Sequence, residues 1–397
     1  MLRVDLTQAK PGMKLALPVN NPKALTRTLL KAGYELTEEA IKRVDEMGVR
    51  SIWVAYPSLS AVEKYLSMDA LKVQQDVVTK IADTFEETQG KAAAKLDYEV
   101  YSTSVKSMVA HVATNPKTAV FIGELSDSDD DLMRHASTVT YLSVLMGLKL
   151  ESYMVRQRKH VNPARAKEIT NLGVGAMLHD FGMTLLPEDV RDRFFLENDE
   201  SDPEYREHTA LGFRAVRGQI DPSAATVVLH HHQRFDGSGF AGADFQVQNG
   251  ESIHIYARIA AVADQFDRMR RPMNLPEQPT VAVLNAMLSP TMRKRFDPHV
   301  LMALIEVVPP YAPGSQLRLS DGRAAVCVDH NVAEPCRPVV KTIAGLDPGG
   351  DKANDSEDDD GETINLAEMP LSLYVAECDG HPVAEFNFTL ETIKNAA

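Results

Sequence analysis

GAMLHDFGM, residues Gly175 to Met183, sets a histidine beside an aspartate at the end of an apolar run. Counting back from Asp180, the residues Ala176, Gly173, Leu172 and Ile169 follow the three- and four-residue spacing of a single helical stripe. A carboxylate that continues a core-facing stripe is costly unless a positive partner meets it. A metal cation is the simplest such partner, and the adjacent imidazole points the same way. Read alone, the pair fits equally well as a helix end fraying into solvent. The neighbouring segments decide between these readings.

Upstream, Leu132, His135, Ala136, Val139, Leu142, Ser143 and Met146 share one stripe, so His135 is expected to face inward. Asp131, four residues earlier, can reach the same side one turn before it. The acidic run that opens this segment otherwise reads as a solvated helix start. Downstream, a helix beginning near Pro203 carries Glu204, His208, Leu211, Gly212 and Ala215 on one side. Asp221-Pro222 is a capping residue followed by proline at the first helical position. That helix runs into His230-His231-His232, of which two can share a site while the third points elsewhere. Between Ile253 and Met269, Ala257, Ala260, Ala261 and Asp264 form another apolar stripe ending in a carboxylate.

The inward-facing polar set is therefore Asp131, His135, His179, Asp180, His208, His231, His232 and Asp264, drawn from five helices. Each buried imidazole would otherwise need hydrogen-bond partners of its own. A cage for two or three divalent cations satisfies all of them together. The set lacks thiolate and is rich in oxygen, which favours iron or manganese over structural zinc, with magnesium as a third candidate.

The rest of the chain frames this set. Its 397 residues exceed one ordinary domain, and a composition of 44% hydrophobic and 25% charged residues supplies a core. A formal charge of -14 argues against a broad nucleic-acid or anionic-membrane surface. No segment has the apolar length of a membrane span, and the N-terminus lacks a signal-peptide core. Cys327, Cys336 and Cys378 show no CxxC spacing, so a reducing, cytoplasmic setting is expected. Residues 1–57 read as a small α+β module, with strands at KLALPV and SIWVAY and a helix capped by Thr37. Residues 58–97 read as a helical linker and 98–310 as the helical domain. Residues 311–397 read as a β-rich module, whose Asp321-Gly322 is a hairpin signal and whose residues 347–362 form an acidic insert expected to be disordered.

The order His135, His179-Asp180, His208, His231-His232 and Asp264 resembles the HD superfamily of metal phosphohydrolases. HHHQRFDGSGF and the later VADQFD are similar to its HD-GYP branch, the bacterial cyclic di-GMP phosphodiesterases. Residues 1–57 also resemble the regulatory segments found ahead of such domains. The resemblance implies a mostly α fold, an HD-type helical bundle with a di- or trinuclear metal site. One ion would be held by His135, His179, Asp180 and Asp264, with Asp180 bridging to a second on His208, His231 and His232. Asp131 stands where some members place a glutamate that recruits a third. The implied reaction is hydrolysis of cyclic di-GMP to pGpG, with GMP as a further product, for bacterial second-messenger signalling. Asp180 and Arg271 would be catalytic, and two neighbouring cations would activate hydroxide and hold the scissile phosphate for in-line attack.

The substrate side falls on Met183, Gly239, Phe240 and Arg271, and here the sequence departs from the pattern. Met183 replaces the lysine of HDIGK that meets a substrate phosphate. The GYP tripeptide reads Gly239-Phe240-Ala241, the residue after the His pair is Gln233, and Arg271-Pro272-Met273 stands for an Arg-Pro-Tyr segment. The metal cage is thus complete while the substrate clamp is thinned, and reduced activity is expected. The alternatives are a catalytically weak cyclic-dinucleotide receptor or partner-binding module, and an HD-type phosphohydrolase acting on another nucleotide. A signalling protein is a further candidate partner, and a homodimer is left open.

Overall fold

The computed structural model describes residues 1–22, 24–65, 68–88, 95–114, 131–272, 275–343 and 361–391. The expected acidic insert, apart from Gly361 and Glu362, lies outside them, as does Met273.

Helices dominate the middle of the chain. They are α1 (Glu38–Glu46), α2 (Met68–Thr88), α3 (Tyr98–Thr114), α4 (Asp131–Lys149), α5 (Glu151–Gln157), α6 (Pro163–Ala166) and α7 (Thr170–Met177). There follow α8 (Glu188–Glu197), α9 (Pro203–Val216), α10 (Pro222–His230), α11 (Ile255–Arg270), α12 (Thr280–Leu288) and α13 (Pro298–Val307). Four of these starts share one device; in α6 Asn162 accepts the Ala164 N–H ahead of Pro163, and the other three use aspartate. Asp202, Asp221 and Asp297 each accept a backbone N–H from two residues on, and a proline follows at the first helical position.

Helices α4, α7, α10 and α11 bury their apolar faces in one core. Val139, Leu142 and Met146 of α4 meet Ile259, Val262 and Phe266 of α11 and Leu172 and Ala176 of α7 within it. Helix α2 belongs to the same core through Val77, Ile81 and Phe85. The stretch expected to be a linker thus contributes a packed wall of the bundle. None of the described helices is long and apolar enough to cross a membrane.

Two β regions flank the bundle in sequence. In the first, β1 (Leu2–Asp5) pairs antiparallel with β4 (Ser51–Val54), while β2 (Val19–Asn21) and β3 (Ala24–Leu30) form a hairpin. The SIWVAY strand and the Thr37 cap form as expected, whereas KLALPV contributes only bridges at Lys14 and Leu15 before β2 begins. The second region is a six-stranded antiparallel sheet in the order β10 (His381–Pro382), β9 (Val375–Cys378), β5 (Gln316–Leu319), β6 (Ala324–Asp329), β7 (Val339–Thr342) and β8 (Thr363–Asn365). Gly322, at φ +89°, makes the turn between β5 and β6.

These two regions are joined in space. Val326, Val328 and Ile343 from the sheet lie in one apolar cluster with Val4, Ile52 and Trp53. Gln316 donates to the Arg3 carbonyl at 3.0 Å, and Lys64 pairs with Asp329 at 2.7 Å.

Candidate metal centre

The five segments singled out by the sequence converge on one buried point. His135 lies on α4, His208 on α9 and Asp264 on α11. The His179-Asp180 pair lies just past the end of α7, where a 3-10 turn (Phe181–Leu185) takes over. His231 and His232 follow the end of α10. Both pairs therefore sit at helix ends, where the chain can turn two consecutive side chains inward; a continuing helix would separate them by about 100°.

Ligand atoms of His135, His179, Asp180 and Asp264 all lie within 4.8 Å of one another, and so do those of Asp180, His208, His231 and His232. Asp180 belongs to both groups, and its two oxygens divide between them. Oδ2 lies 3.3 Å from His179 Nε2 and 3.7 Å from His135 Nε2. Oδ1 lies 3.5 Å from His208 Nε2 and 3.4 Å from His231 Nε2. All seven residues are buried.

The backbone settles which ring nitrogen faces inward. His179 Nδ1 donates to the Ala176 carbonyl at 2.7 Å, His208 Nδ1 to Tyr205 at 2.7 Å and His231 Nδ1 to Val228 at 3.0 Å. With the proton on Nδ1, each Nε2 carries a lone pair. The Nε2 atoms of His208 and His231 then stand 3.3 Å apart with no proton between them, and Asp180 Oδ1 is buried without a hydrogen bond. Facing lone pairs and an orphaned buried carboxylate oxygen fit a cation at their common centre.

Burial shapes the charge states in the same sense. It lowers His208 to about 3, holds His232 well below the usual imidazole range and lowers His179, so these rings stay neutral. For Asp180 the upward push of burial is outweighed by His179 and Arg268, and the carboxyl stays far below its ordinary value. In Asp264 burial is likewise outweighed, by Arg268 and His135. His135 differs. Burial pulls it down, but hydrogen bonds to Asp264 and Asp267 prevail and lift it to about 9.

Two residues absent from the expected set complete the centre. Asp267 Oδ2 accepts from His135 Nδ1 at 2.7 Å, the carboxylate–histidine arrangement that orients a ligating ring. Arg268 donates from Nε to Asp264 Oδ1 at 2.7 Å and from Nη2 to Asp180 Oδ2 at 3.3 Å. Both follow Asp264 by one helical turn, a spacing readable from the sequence.

Other expected residues lie elsewhere. Asp131 joins neither group; at the first turn of α4 its half-exposed carboxylate pairs with Arg134 instead. Arg271 stands behind the centre, donating from Nη1 to Asp267 at 3.2 Å and from Nε to Glu277 at 3.2 Å. It thereby braces the residue that orients His135. Met183 is buried in an apolar cluster with Val190, Phe194, Tyr205 and Phe240. Phe240 stacks on the His232 ring, centroids 4.5 Å apart at 21°, and so walls a candidate ligand. A Cβ on Gly239 would fall well inside contact distance of the His232 carbonyl and the Arg234 backbone nitrogen. Gly182 is as constrained, because a Cβ there would collide with the His208 carbonyl. These two glycines let the HDFG turn and the 239–240 loop press backbone against backbone around the centre.

A helical bundle that gathers imidazoles and carboxylates from five places around one shared aspartate defines a metal-dependent phosphohydrolase of the HD type. The HD domain family model matches residues 121–300. The cyclic di-GMP phosphodiesterase PA4108 of Pseudomonas aeruginosa is 25% identical over 321 residues, 78% of this chain and 71% of that protein. The response regulator RpfG of Xanthomonas campestris pv. campestris, also named a cyclic di-GMP phosphodiesterase, is 30% identical over 142 residues, 35% of this chain and 36% of its own. A cyclic di-GMP phosphodiesterase of Thermotoga maritima is 31% identical over 148 residues, 35% of this chain and 38% of its own. Residues 121–300 match the HD domain, and with the three relatives this supports an HD-GYP domain protein and a phosphodiesterase enzyme.

Proposed function

We propose that the protein is a metal-dependent phosphodiesterase that hydrolyses cyclic di-GMP to linear pGpG, with GMP as a further product. The observation that carries this reading is the division of Asp180, one oxygen facing His135 and His179 and the other facing His208 and His231. His135, His179, Asp180 and Asp264 would hold one divalent ion, and Asp180, His208, His231 and His232 a second. Iron or manganese suits this nitrogen and oxygen donor set. Such ions supply Lewis acidity towards a phosphoryl oxygen and activation of water at neutral pH. A diester substrate also agrees with the names of the three relatives.

The chain's own part is to fix those donors. Backbone carbonyls hold three imidazoles in one tautomer, and Asp267, braced by Arg271, holds His135. Phe240 stacks on the His232 ring and the Tyr205 hydroxyl lies 3.4 Å from its Nε2, so both enclose that side of the second group.

The burial of Met183 favours a second reading, a cyclic-dinucleotide receptor of low turnover, because no cation is offered from that position. Protein loaded anaerobically with iron or manganese and mixed with cyclic di-GMP separates the two. Appearance of pGpG on chromatography, lost in Asp180→Ala, supports the enzyme. Tight binding without product supports the receptor, and neither binding nor product refutes both.

A further inference from the structure

The two candidate metal positions are not equivalent, and Arg268 is one side chain that sets them apart. Arg268 lies one turn beyond Asp264 on α11 and points its guanidinium back into the centre. Nε holds Asp264 Oδ1 and Nη2 holds Asp180 Oδ2, while the guanidinium carbon sits 5.7 Å from the centre of the Phe194 ring. The side chain is 11% exposed. Both oxygens it binds face the His135–His179 group. Asp180 Oδ1, which faces His208 and His231, carries no hydrogen bond.

We propose that Arg268 is a resident counter-ion that makes the two positions fill in order and then serves as the contact for an anionic phosphodiester oxygen. The position formed by His208, His231, His232 and Asp180 Oδ1 fills first, because among the described residues no side-chain cation is hydrogen-bonded to its donors. The position formed by His135, His179, Asp264 and Asp180 Oδ2 fills second. There the incoming ion must take two oxygens from a guanidinium that it also repels. Each charge-assisted hydrogen bond given up opposes the exchange, together by about ten- to a hundredfold in affinity. The displaced guanidinium is tethered to the same helical turn, so it stays beside the centre as a planar fork suited to phosphate oxygens. Met183, apolar and buried, offers no such group.

This inference rests on the metal-centre reading but not on the identity of the nucleotide. Its test is a titration of the metal-free, full-length protein with manganese, following free ion by electron paramagnetic resonance and bound ion by elemental analysis. The expected result is two steps, the second at least about tenfold weaker. In Arg268→Ala the second step should tighten by about ten- to a hundredfold, with the first within about threefold of wild type. Arg268→Lys, which keeps the charge but loses the fork, should fall between, and thermal unfolding identifies any variant that has not folded. Inorganic phosphate titrated into the fully loaded protein should bind at least about tenfold more weakly to Arg268→Ala. One uniform step in wild type, or an unchanged second step in both variants, overturns the ordered filling. Unchanged phosphate affinity overturns the phosphate contact. Protein that takes up no manganese, iron or magnesium overturns the metal centre itself, whatever the substrate.

Discussion

Replacing Asp267 with asparagine tests how far the centre depends on a residue that touches no ion. Asp267 is 3% exposed, accepts from His135 Nδ1 at 2.7 Å, and is held in turn by Arg271. Asparagine keeps the shape and one acceptor but removes the charge. Loss of such a partner typically weakens metal affinity about 10- to 100-fold, or about 1.4–2.7 kcal/mol. A second effect opposes it. His135 titrates at about 9, so near neutrality an incoming ion must first displace its proton. At pH 7 that competition amounts to about a hundredfold. Removing Asp267 lowers the affinity of His135 for the proton as well as for the metal, so the two effects partly cancel at neutral pH. Above pH 9 the proton competition is gone and only the loss remains. Chelator-buffered manganese titrations of wild type and Asp267→Asn at pH 7 and pH 9.5 should therefore give an affinity ratio that widens with pH. A ratio near one at both values would refute the role given to Asp267.

Further outcomes follow from single contacts. Gly239→Ala has no room beside the His232 carbonyl, so the loop must shift; a loss of about 1–3 kcal/mol in denaturant unfolding and of one metal equivalent is expected, and wild-type values for both would contradict the close approach. Asp131→Ala should leave the metal content unchanged by elemental analysis, because that carboxylate pairs with Arg134 outside both groups; loss of an ion would restore it as a ligand. His254 caps α11 by accepting the Tyr256 N–H at Nδ1, and burial, with Arg158 and Arg258 nearby, lowers it to about 4. Its folded value lies below the unfolded value of about 6.5, so the unfolded chain binds more protons between the two, and stability present above pH 6.5 is lost as pH falls towards 4. Between pH 7 and pH 4.5 the metal-free wild type should lose about 2–3 kcal/mol more than His254→Asn, which caps without titrating; equal losses in urea unfolding would refute the coupling.

Much of the centre was legible because burying a polar group is costly. His135, His208 and Asp264 each interrupt an apolar stripe, and the bundle brings all three together. What sequence spacing could not show was where helices stop. The stripe ending in Asp180 implied a continuous helix, yet α7 ends at Met177, and the turn beyond it is what lets His179 and Asp180 both face inward. Asp131 failed for a similar reason. The four-residue spacing to His135 assumes a full preceding turn, but Asp131 begins the helix and finds Arg134 first. Asp267 was missed because a charged helix end ordinarily lies in water, whereas here it is buried against His135 of α4; Arg268 was legible only as a counter-charge for a substrate phosphate, and its hold on Asp264 and Asp180 appears only in the folded bundle. The hairpin of β2 and β3 and the strand β8 lacked the bulky alternation that marked β4 and β6. Neither the burial of Met183 nor the stack of Phe240 on His232 was visible without the tertiary contacts that create them.

The chain's opening strands and its closing sheet form a clasp, with the bundle looped between them. Trp53 lies against Gly314, Lys64 reaches Asp329, and Val326, Val328 and Ile343 complete the apolar filling under β1 and β4. Trimming either end to isolate the enzyme would open that clasp and wet its interior. A truncated protein that lost activity would then be reporting a broken fastening, and a sensing role for the first sixty residues has to be sought with point changes on their outer surface.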